Sequence, residues 1–234
     1  MNDNYTFLLQ QVIEDLLNGN NSLEIPLLKL NYFSRLVKNE KLLRFTELEI
    51  NGYKGETPPK YRQTIAKLTV VLQKGYESTT FELPISNLEA PFDTQLQYVK
   101  MTEGIRIIEA MAAKEIVDNS SSLGTPVPPG MLAYVKKAVD KISNQGLTPT
   151  AAMISGNPTL TMQIVSTVRY RLLAFATDIA EKFGYSIEIS TFKDKQELNN
   201  QIINNYIKNK IVNNGNQNVS NTGDKSKINL QKKQ

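Results

Sequence analysis

Two short stretches, Glu49-Ile50-Asn51-Gly52-Tyr53 and Pro58-Pro59-Lys60-Tyr61-Arg62, place a helix end directly before a rigid loop. The residues before Asn51 form an amphipathic run, which predicts a helix over about 40–50. Asn51-Gly52 is a strong stop signal, because both residues tolerate a positive φ. We therefore expect a helix followed by a loop whose prolines present a Tyr-Arg pair.

The carboxylates at the end of this helix are the first candidate site. Glu47 and Glu49 are two positions apart, so their side chains point about 200° from each other and cannot share a metal ion. We interpret both as part of a solvated helix face. Glu49 also lies one turn before Tyr53, and an ion pair between Glu49 and Arg62 would tie the helix to the loop.

The aromatic and basic residues allow more than one interpretation. Tyr53 and Tyr61 flank the Pro-Pro loop and are expected to be amphipathic plugs whose hydroxyls reach the surface. Arg62 suits either a structural ion pair or recognition of phosphate or carboxylate. Arg169 lies close to the apolar stripe of a later helix. It is either exposed with a buried stem or partly buried and paired with a carboxylate such as Glu49.

The rest of the chain alternates between two periodicities. Spacing of three to four predicts further helices, while strand formers around 61–72 and 79–83 predict a β-hairpin with its turn at 74–78. Residues 119–129 predict a loop, residues 187–189 a short strand, and 148–158 are left open. The predicted helices are 5–18, 22–38, 94–117, 159–183 and 193–212, and residues 131–142 are predicted as a short helix or as a strand followed by a helix.

These elements predict a mainly helical α+β fold with a small antiparallel β-hairpin and a flexible C-terminal tail. We divide the 234-residue chain into a helical domain over 1–190, a polar helix over 191–212 and a disordered Asn/Gly/Lys-rich tail over 213–234. The tail carries four lysines against one aspartate, so most of the +4 net charge lies there. A basic tail is weak evidence for nucleic-acid binding, because no folded basic face accompanies it.

Composition excludes several classes of chemistry. The chain has no Cys and no His, which removes disulfides, thiol nucleophiles, Ser-His-Asp catalysis and the common zinc sites. It has neither of the two common phosphate-binding glycine loops and no acidic-x-Lys element. We predict no catalytic residue, no metal site and no cofactor. No apolar run is long enough to cross a membrane, and no signal peptide is evident, so we predict a cytoplasmic protein without a membrane partner.

The sequence resembles the AbiTii domain family over residues 5–190. Residues 49–53 and 59–62 are similar to an early motif in which Glu-Leu-Asn-Gly-Tyr-like and Leu-Pro-x-Tyr-Arg-like stretches follow one another. Residues 164–176 resemble a late helix with a Val-Arg-x-x-Leu-Leu-x-Phe-like core, and residues 104–109 lie where a Gly-Ile…Leu-Glu-like helix is expected. Pro58 stands where the family has Leu, and Ile50 also replaces a Leu.

This resemblance implies an abortive-infection, antiphage role in bacteria, but no chemistry. The residues that carry it or support it are candidates for architecture or an interaction surface: Glu49, Asn51, Gly52, Tyr53, Pro59, Tyr61, Arg62 and Arg169.

Three hypotheses about function follow. The first is a non-enzymatic module that forms a homo-oligomer or binds a partner protein of the same defence system. The second is a toxic effector that binds nucleic acid or the translation machinery. The third, a metal-dependent nuclease using carboxylates alone, has no supporting spacing.

Overall fold

The computed structural model describes residues 5–118, 124–143 and 145–212. The predicted tail, 213–234, and the first part of the predicted loop, 119–123, lie outside the described residues. Within them, the α-helices are α1 (Leu9–Leu17), α2 (Glu24–Leu36), α3 (Glu40–Asn51), α4 (Phe92–Gln95), α5 (Ile105–Asp118), α6 (Leu132–Ile142), α7 (Leu160–Phe183), α8 (Ile189–Asp194) and α9 (Gln196–Tyr206). A π-helical segment over Ile207–Val212 continues α9, and short 3-10 helices cover Lys60–Arg62, Ile85–Asn87 and Pro129–Met131.

The strands form three antiparallel sheets in the described part of the chain. Four strands pair in the order β4-β3-β7-β6, β1 pairs with β8, and β2 pairs with β5. Their bounds are β1 (Thr6–Leu8), β2 (Gln63–Ile65), β3 (Lys67–Lys74), β4 (Glu77–Leu83), β5 (Tyr98–Lys100), β6 (Gly124–Pro126), β7 (Thr148–Ser155) and β8 (Ser186–Glu188). The predicted fold class, mainly helical α+β with small antiparallel sheets, is confirmed.

The larger hydrophobic core surrounds α7. Its apolar residues recur every three to four positions, as the sequence predicts, and six of them are buried: Leu160, Ile164, Val168, Leu172, Phe175 and Ile179. Helices α1, α2 and α5 pack around this stripe, and Ile203, Ile207 and Ile211 of the C-terminal segment join it. Each such side chain contributes roughly 1.5–3 kcal/mol when fully buried. Residues 196–211 are therefore anchored to the main core by their isoleucines.

A second, smaller core lies between the four-stranded sheet and α6. Leu68, Val70 and Leu72 of β3 alternate with more exposed residues and face Val135 and Val139 of α6. The predicted hairpin is confirmed as β3 and β4, with the turn at Gly75 and Tyr76. The hairpin is not isolated, however, because β7 pairs along the other side of β3.

Two predicted helices begin later than expected. The predicted helix 5–18 starts only at Leu9, because Thr6–Leu8 pairs with Ser186–Glu188 as a strand. The predicted helix 94–117 is wrong in its first half, where Tyr98–Lys100 pairs with Gln63–Ile65. In both cases long-range backbone pairing overrides a local helical spacing. The second change matters most, since it brings the loop before α5 against the end of α3.

Candidate functional site

Glu49 is the centre of a buried polar cluster made of Glu49, Tyr53, Tyr61 and Arg62, called here the Glu49 cluster. Its Oε1 accepts hydrogen bonds from the Tyr53 hydroxyl at 2.6 Å and the Tyr61 hydroxyl at 2.5 Å. Its Oε2 pairs with a guanidinium nitrogen of Arg62 at 2.6 Å. The side chains of Glu49 and Arg62 are both 0% exposed. The predicted Glu49–Arg62 ion pair is therefore confirmed, and it is fully enclosed.

The helix stop positions two members of the cluster. Gly52 follows α3 with a φ of 94° and a ψ of 171°, a conformation that is open essentially to glycine alone. The chain turns there, and the Tyr53 N–H donates to the Thr102 carbonyl at 2.6 Å. Space is also restricted, because a Cβ on Gly52 would lie 2.9 Å from the backbone nitrogen of Gly104. Glycine at position 52 thus lets α3 approach the loop before α5.

Residues 53–62, called here the proline loop, position Tyr61 and Arg62. Pro59 precedes the 3-10 helix Lys60–Arg62, and its carbonyl accepts the Arg62 N–H at 2.9 Å. The Arg62 carbonyl in turn accepts the Met101 N–H at 2.8 Å. A second guanidinium nitrogen of Arg62 donates to the Glu103 carbonyl at 2.7 Å, and the guanidinium lies 5.0 Å from the centre of the Tyr53 ring. Arg62 therefore joins α3, the proline loop and the loop before α5.

The electrostatics favour the neutral form of the two tyrosines and the charged form of the arginine. Burial, followed by the negative charge of Glu49, raises the pKa of the Tyr53 and Tyr61 hydroxyls above their ordinary value of 10.0. Burial acts to lower the pKa of Arg62, but the Glu49 carboxylate and the two tyrosines outweigh it and raise that pKa. The tyrosines stay neutral donors and Arg62 stays a cation. Both oxygens of Glu49 are occupied, so the cluster holds structure together and offers no free acid or base to a substrate.

Three sequence interpretations change at this point. Glu47 is partly exposed and pairs with Arg35 at 2.8 Å, but Glu49 is not part of that solvated face. The hydroxyls of Tyr53 and Tyr61 do not reach the surface, because both bind Glu49. Helical spacing shows which side of α3 a residue occupies. It cannot show that a loop folds over that side.

Arg169 lies away from the Glu49 cluster, so the expectation that it pairs with Glu49 or another carboxylate of α3 is wrong. Its guanidinium donates to backbone carbonyls at and beyond the C-terminus of α1, at 3.2 Å from Leu16, 3.0 Å from Asn18 and 2.7 Å from Asn21. The Leu16 and Asn18 carbonyls lie at the C-terminus of α1, where the negative end of the helix dipole favours a cation. Arg169 caps α1 from α7.

Arg171 reaches the cluster instead, although the sequence offered no signal for this. Its guanidinium lies 4.6 Å from the centre of the Tyr61 ring and donates to the Ile211 carbonyl. Arg171 thus links α7, the proline loop and the π-helical segment. Of the remaining motif residues, Asn51 is exposed as the last residue of α3, and Pro59 is half-buried at the start of the 3-10 helix.

An open groove of about 870 Å³ borders the Glu49 cluster. It runs between α3, the proline loop and the π-helical segment, and its lining is mainly apolar. An ion pair between Arg44 of α3 and Glu56 of the loop joins two of its walls. Sequence reasoning missed this groove, because its walls come from segments far apart in the chain. Apolar lining residues include Phe45, Leu48, Tyr53, Pro58, Ile207 and Ile211.

The described residues contain no group of three or more acidic, His or Cys side chains arranged to hold a metal ion. None of their helices combines the length and the apolar character needed to cross a membrane.

The comparisons with known proteins give one match. The family model described as AbiTii matches residues 7–205, well over half of the chain. This span contains the whole Glu49 cluster and Arg169, and it ends just before the π-helical segment that begins at Ile207. Searches of curated proteins and of solved structures found no match.

Proposed function

The chain belongs to the AbiTii family, whose name points to abortive infection against phages, and from that premise we propose a non-enzymatic interaction module of such a system. The module binds a partner protein of the same system through the groove beside the Glu49 cluster, and it self-associates. The groove's open, mainly apolar lining carries this proposal.

The Glu49 cluster and the groove differ in how their side chains are bonded and exposed, and this difference supports the assignment. The Glu49 cluster has the charge and hydrogen-bonding capacity of an active site, but its members are bonded to one another and the Glu49–Arg62 pair is closed to solvent. The groove has the opposite character. Its lining is mainly apolar and open to solvent, with Phe45, Leu48 and Tyr61 partly exposed along it, and such surfaces typically mark sites of protein binding. The rigid cluster fixes the shape of one groove wall.

A segment of a partner protein fits this groove by its chemistry. Phe45, Leu48 and Pro58 supply apolar contacts, while Lys41 and Lys60 supply charged groups beside them. A few apolar anchors with a polar surround are the usual composition of a binding site for an amphipathic helix or loop. We propose such a segment as the occupant.

The test is phage plaquing efficiency on cells that carry the chain together with its neighbouring genes. Thr57 is exposed and lines the groove, so Thr57→Trp fills the groove without touching the core. Lys54 is exposed on the same loop but does not line the groove, so Lys54→Trp is the matched control. We expect Thr57→Trp to lose protection and Lys54→Trp to keep it at matched soluble expression.

Two results would count against the proposal. Equal protection from both variants would remove the groove from the mechanism. No protection from the wild type, with or without its neighbours, would remove the antiphage role. Arg62→Ala is a poor substitute for Thr57→Trp, because it leaves Glu49 unpaired in the core and changes folding together with any surface.

The effector alternative has less support in the folded part of the chain. Three arginines suited to nucleic acid are engaged within the fold: Arg62 with a buried carboxylate, Arg169 with helix-end carbonyls, and Arg171 with the Tyr61 ring and the Ile211 carbonyl. Nucleic-acid binding stays a prediction, which salt-dependent binding of RNA or DNA would test.

A further inference from the structure

Strand β4 is a long, open edge of the four-stranded sheet. It covers Glu77–Leu83, and every residue from Glu77 to Glu82 is exposed. All seven residues pair in continuous register with β3, so the strand is regular along its length. Within the described residues, no strand pairs with its other side. Every second residue of such an edge therefore directs its backbone N–H and C=O away from the sheet.

The edge lacks several of the features that usually prevent pairing. Natural edge strands carry lysine, proline or a bulge, and β4 has none of the three. The opposite edge, β6, is only three residues long and ends in Pro126. The two carboxylates of β4 are also balanced by β3: Lys74 lies opposite Glu77, and Lys67 pairs with Glu82 at 3.5 Å. A second strand can approach β4 without meeting a net charge.

We propose that β4 pairs antiparallel with β4 of a second copy of this chain, with Thr80 on the twofold axis. The inference rests on the proposed function, and it names the surface through which the module self-associates. Thr80 is the middle residue of the strand, so this register pairs all seven residues and joins two four-stranded sheets into one.

The side chains of this register complement one another. Phe81 lies opposite Val70 of β3, on the core face of the sheet, yet 41% of it is exposed. In the twofold register Phe81 faces Thr79 of the second copy, which covers part of that ring. Glu82 faces Ser78 of the second copy, and Thr80 faces itself. No charged side chain lies opposite a like charge, and aromatic–β-branched and Thr–Thr pairs are favourable across strands.

Disulfide trapping tests the register in the full chain. The protein has no cysteine, so a single introduced thiol can bridge only to a second copy. Directly opposite residues of an antiparallel pair have Cα atoms about 4.5–5.5 Å apart, which suits a disulfide. We expect Thr80→Cys to form a covalent dimer under mild oxidation. Ser78→Cys is the control, because its counterpart is four residues along the strand, about 13 Å away, and should remain monomeric on a denaturing gel.

Charge substitutions test the same interface without a cross-link. Thr80→Lys places two lysines opposite each other, whereas Ser78→Lys places each lysine opposite Glu82 of the second copy. Both positions are exposed on one strand, so both variants should keep the fold, which circular dichroism verifies. By sedimentation velocity we expect Thr80→Lys to raise the dimer dissociation constant about fivefold. Ser78→Lys should leave that constant unchanged or lower it.

The outcomes separate this inference from the proposed function. A dimer that Thr80→Lys does not weaken, with no preferential trapping at position 80, overturns β4 as the interface while leaving self-association intact. A wild type that stays monomeric at all accessible concentrations overturns both the inference and the self-association part of the proposed function. Partner binding through the groove is judged separately, by the plaquing assay with Thr57→Trp.

Discussion

Replacing Glu49 by Gln removes one charge from the Glu49 cluster while keeping the side-chain shape. Arg62 is then a cation with 0% exposure and no opposing carboxylate. Breaking a buried ion pair from one side costs about 3–5 kcal/mol, because the remaining charge is left desolvated. The amide oxygen still accepts from a tyrosine hydroxyl, so we place the loss for Glu49→Gln near the lower limit, about 3 kcal/mol. This is a large part of the roughly 5–15 kcal/mol that stabilises a typical domain.

Glu47→Gln is a matched control on the same helix. Glu47 also forms an ion pair, with Arg35 at 2.8 Å, but its side chain is 35% exposed and that of Arg35 is 58% exposed. Exposed pairs are worth about 0–1 kcal/mol, because water screens and solvates both partners. The same chemical change, two residues apart, should therefore have very different effects.

Urea denaturation of the full chain, followed by circular dichroism, measures both variants. The transition midpoint of Glu49→Gln should fall strongly at an unchanged slope, while that of Glu47→Gln should stay close to the wild type. A difference between the two variants below about 1 kcal/mol would refute the reasoning. Arg62 would then have found another counter-charge or water.

Three further predictions concern the same scaffold. Gly52→Ala should cost more than Gly55→Ala in urea denaturation, since both glycines have positive φ but only Gly52 has backbone within 3.0 Å of the added Cβ. Arg169→Met should lower the free energy of unfolding by about 2 kcal/mol and speed hydrogen exchange in α1, whereas Arg106→Met, with its 78% exposed side chain, should change it by under about 0.5 kcal/mol. The two tyrosines of the Glu49 cluster have pKa values raised above 10.0, so the folded chain keeps protons that the unfolded chain loses. The contribution of these tyrosines to the free energy of unfolding is therefore complete below about pH 10. It decreases above that pH, by up to about 1.4 kcal/mol per pH unit for each tyrosine. Urea denaturation at pH 9 and pH 11 should show a smaller fall when both are replaced by Phe.

The sequence predicted those parts of the fold that depend on local signals. The apolar period of α7, the glycine after α3 and the strand formers of the hairpin each act within a few residues, and all three are confirmed. The strands Thr6–Leu8 and Tyr98–Lys100 were missed, because their partners are far along the chain and their spacing also suits a helix. Local patterns specify a conformation only where no distant partner competes for the same backbone.

The candidate site shows the same limit. The Glu49–Arg62 pair was predictable, because both residues flank one helix stop and its loop. The burial of Glu49 was not, since it depends on the loop before α5 closing over α3. Arg169 and Arg171 are two positions apart on α7 and so point to different sides, one to the end of α1 and the other to Tyr61. The sequence places Arg169 close to an apolar stripe, but only tertiary structure assigns the partners of both arginines.

The charged pair of the most specific motif in this chain is thus unable to act on another molecule, while the tyrosines and prolines of that motif line the groove. Glu49 and Arg62 are fully enclosed, and the tyrosines donate inward, so substitutions there test folding before they test function. Within the described residues, binding of another molecule has to involve exposed surfaces. The groove beside the cluster and the open edge of β4 are two such surfaces, on different parts of the fold.

A module that binds a partner with one surface and itself with the other brings several partners together, which raises their local concentration without any chemical step. Thr57→Trp and Thr80→Lys perturb these surfaces one at a time. If protection needs both surfaces, each variant alone should lose it while remaining as stable as the wild type.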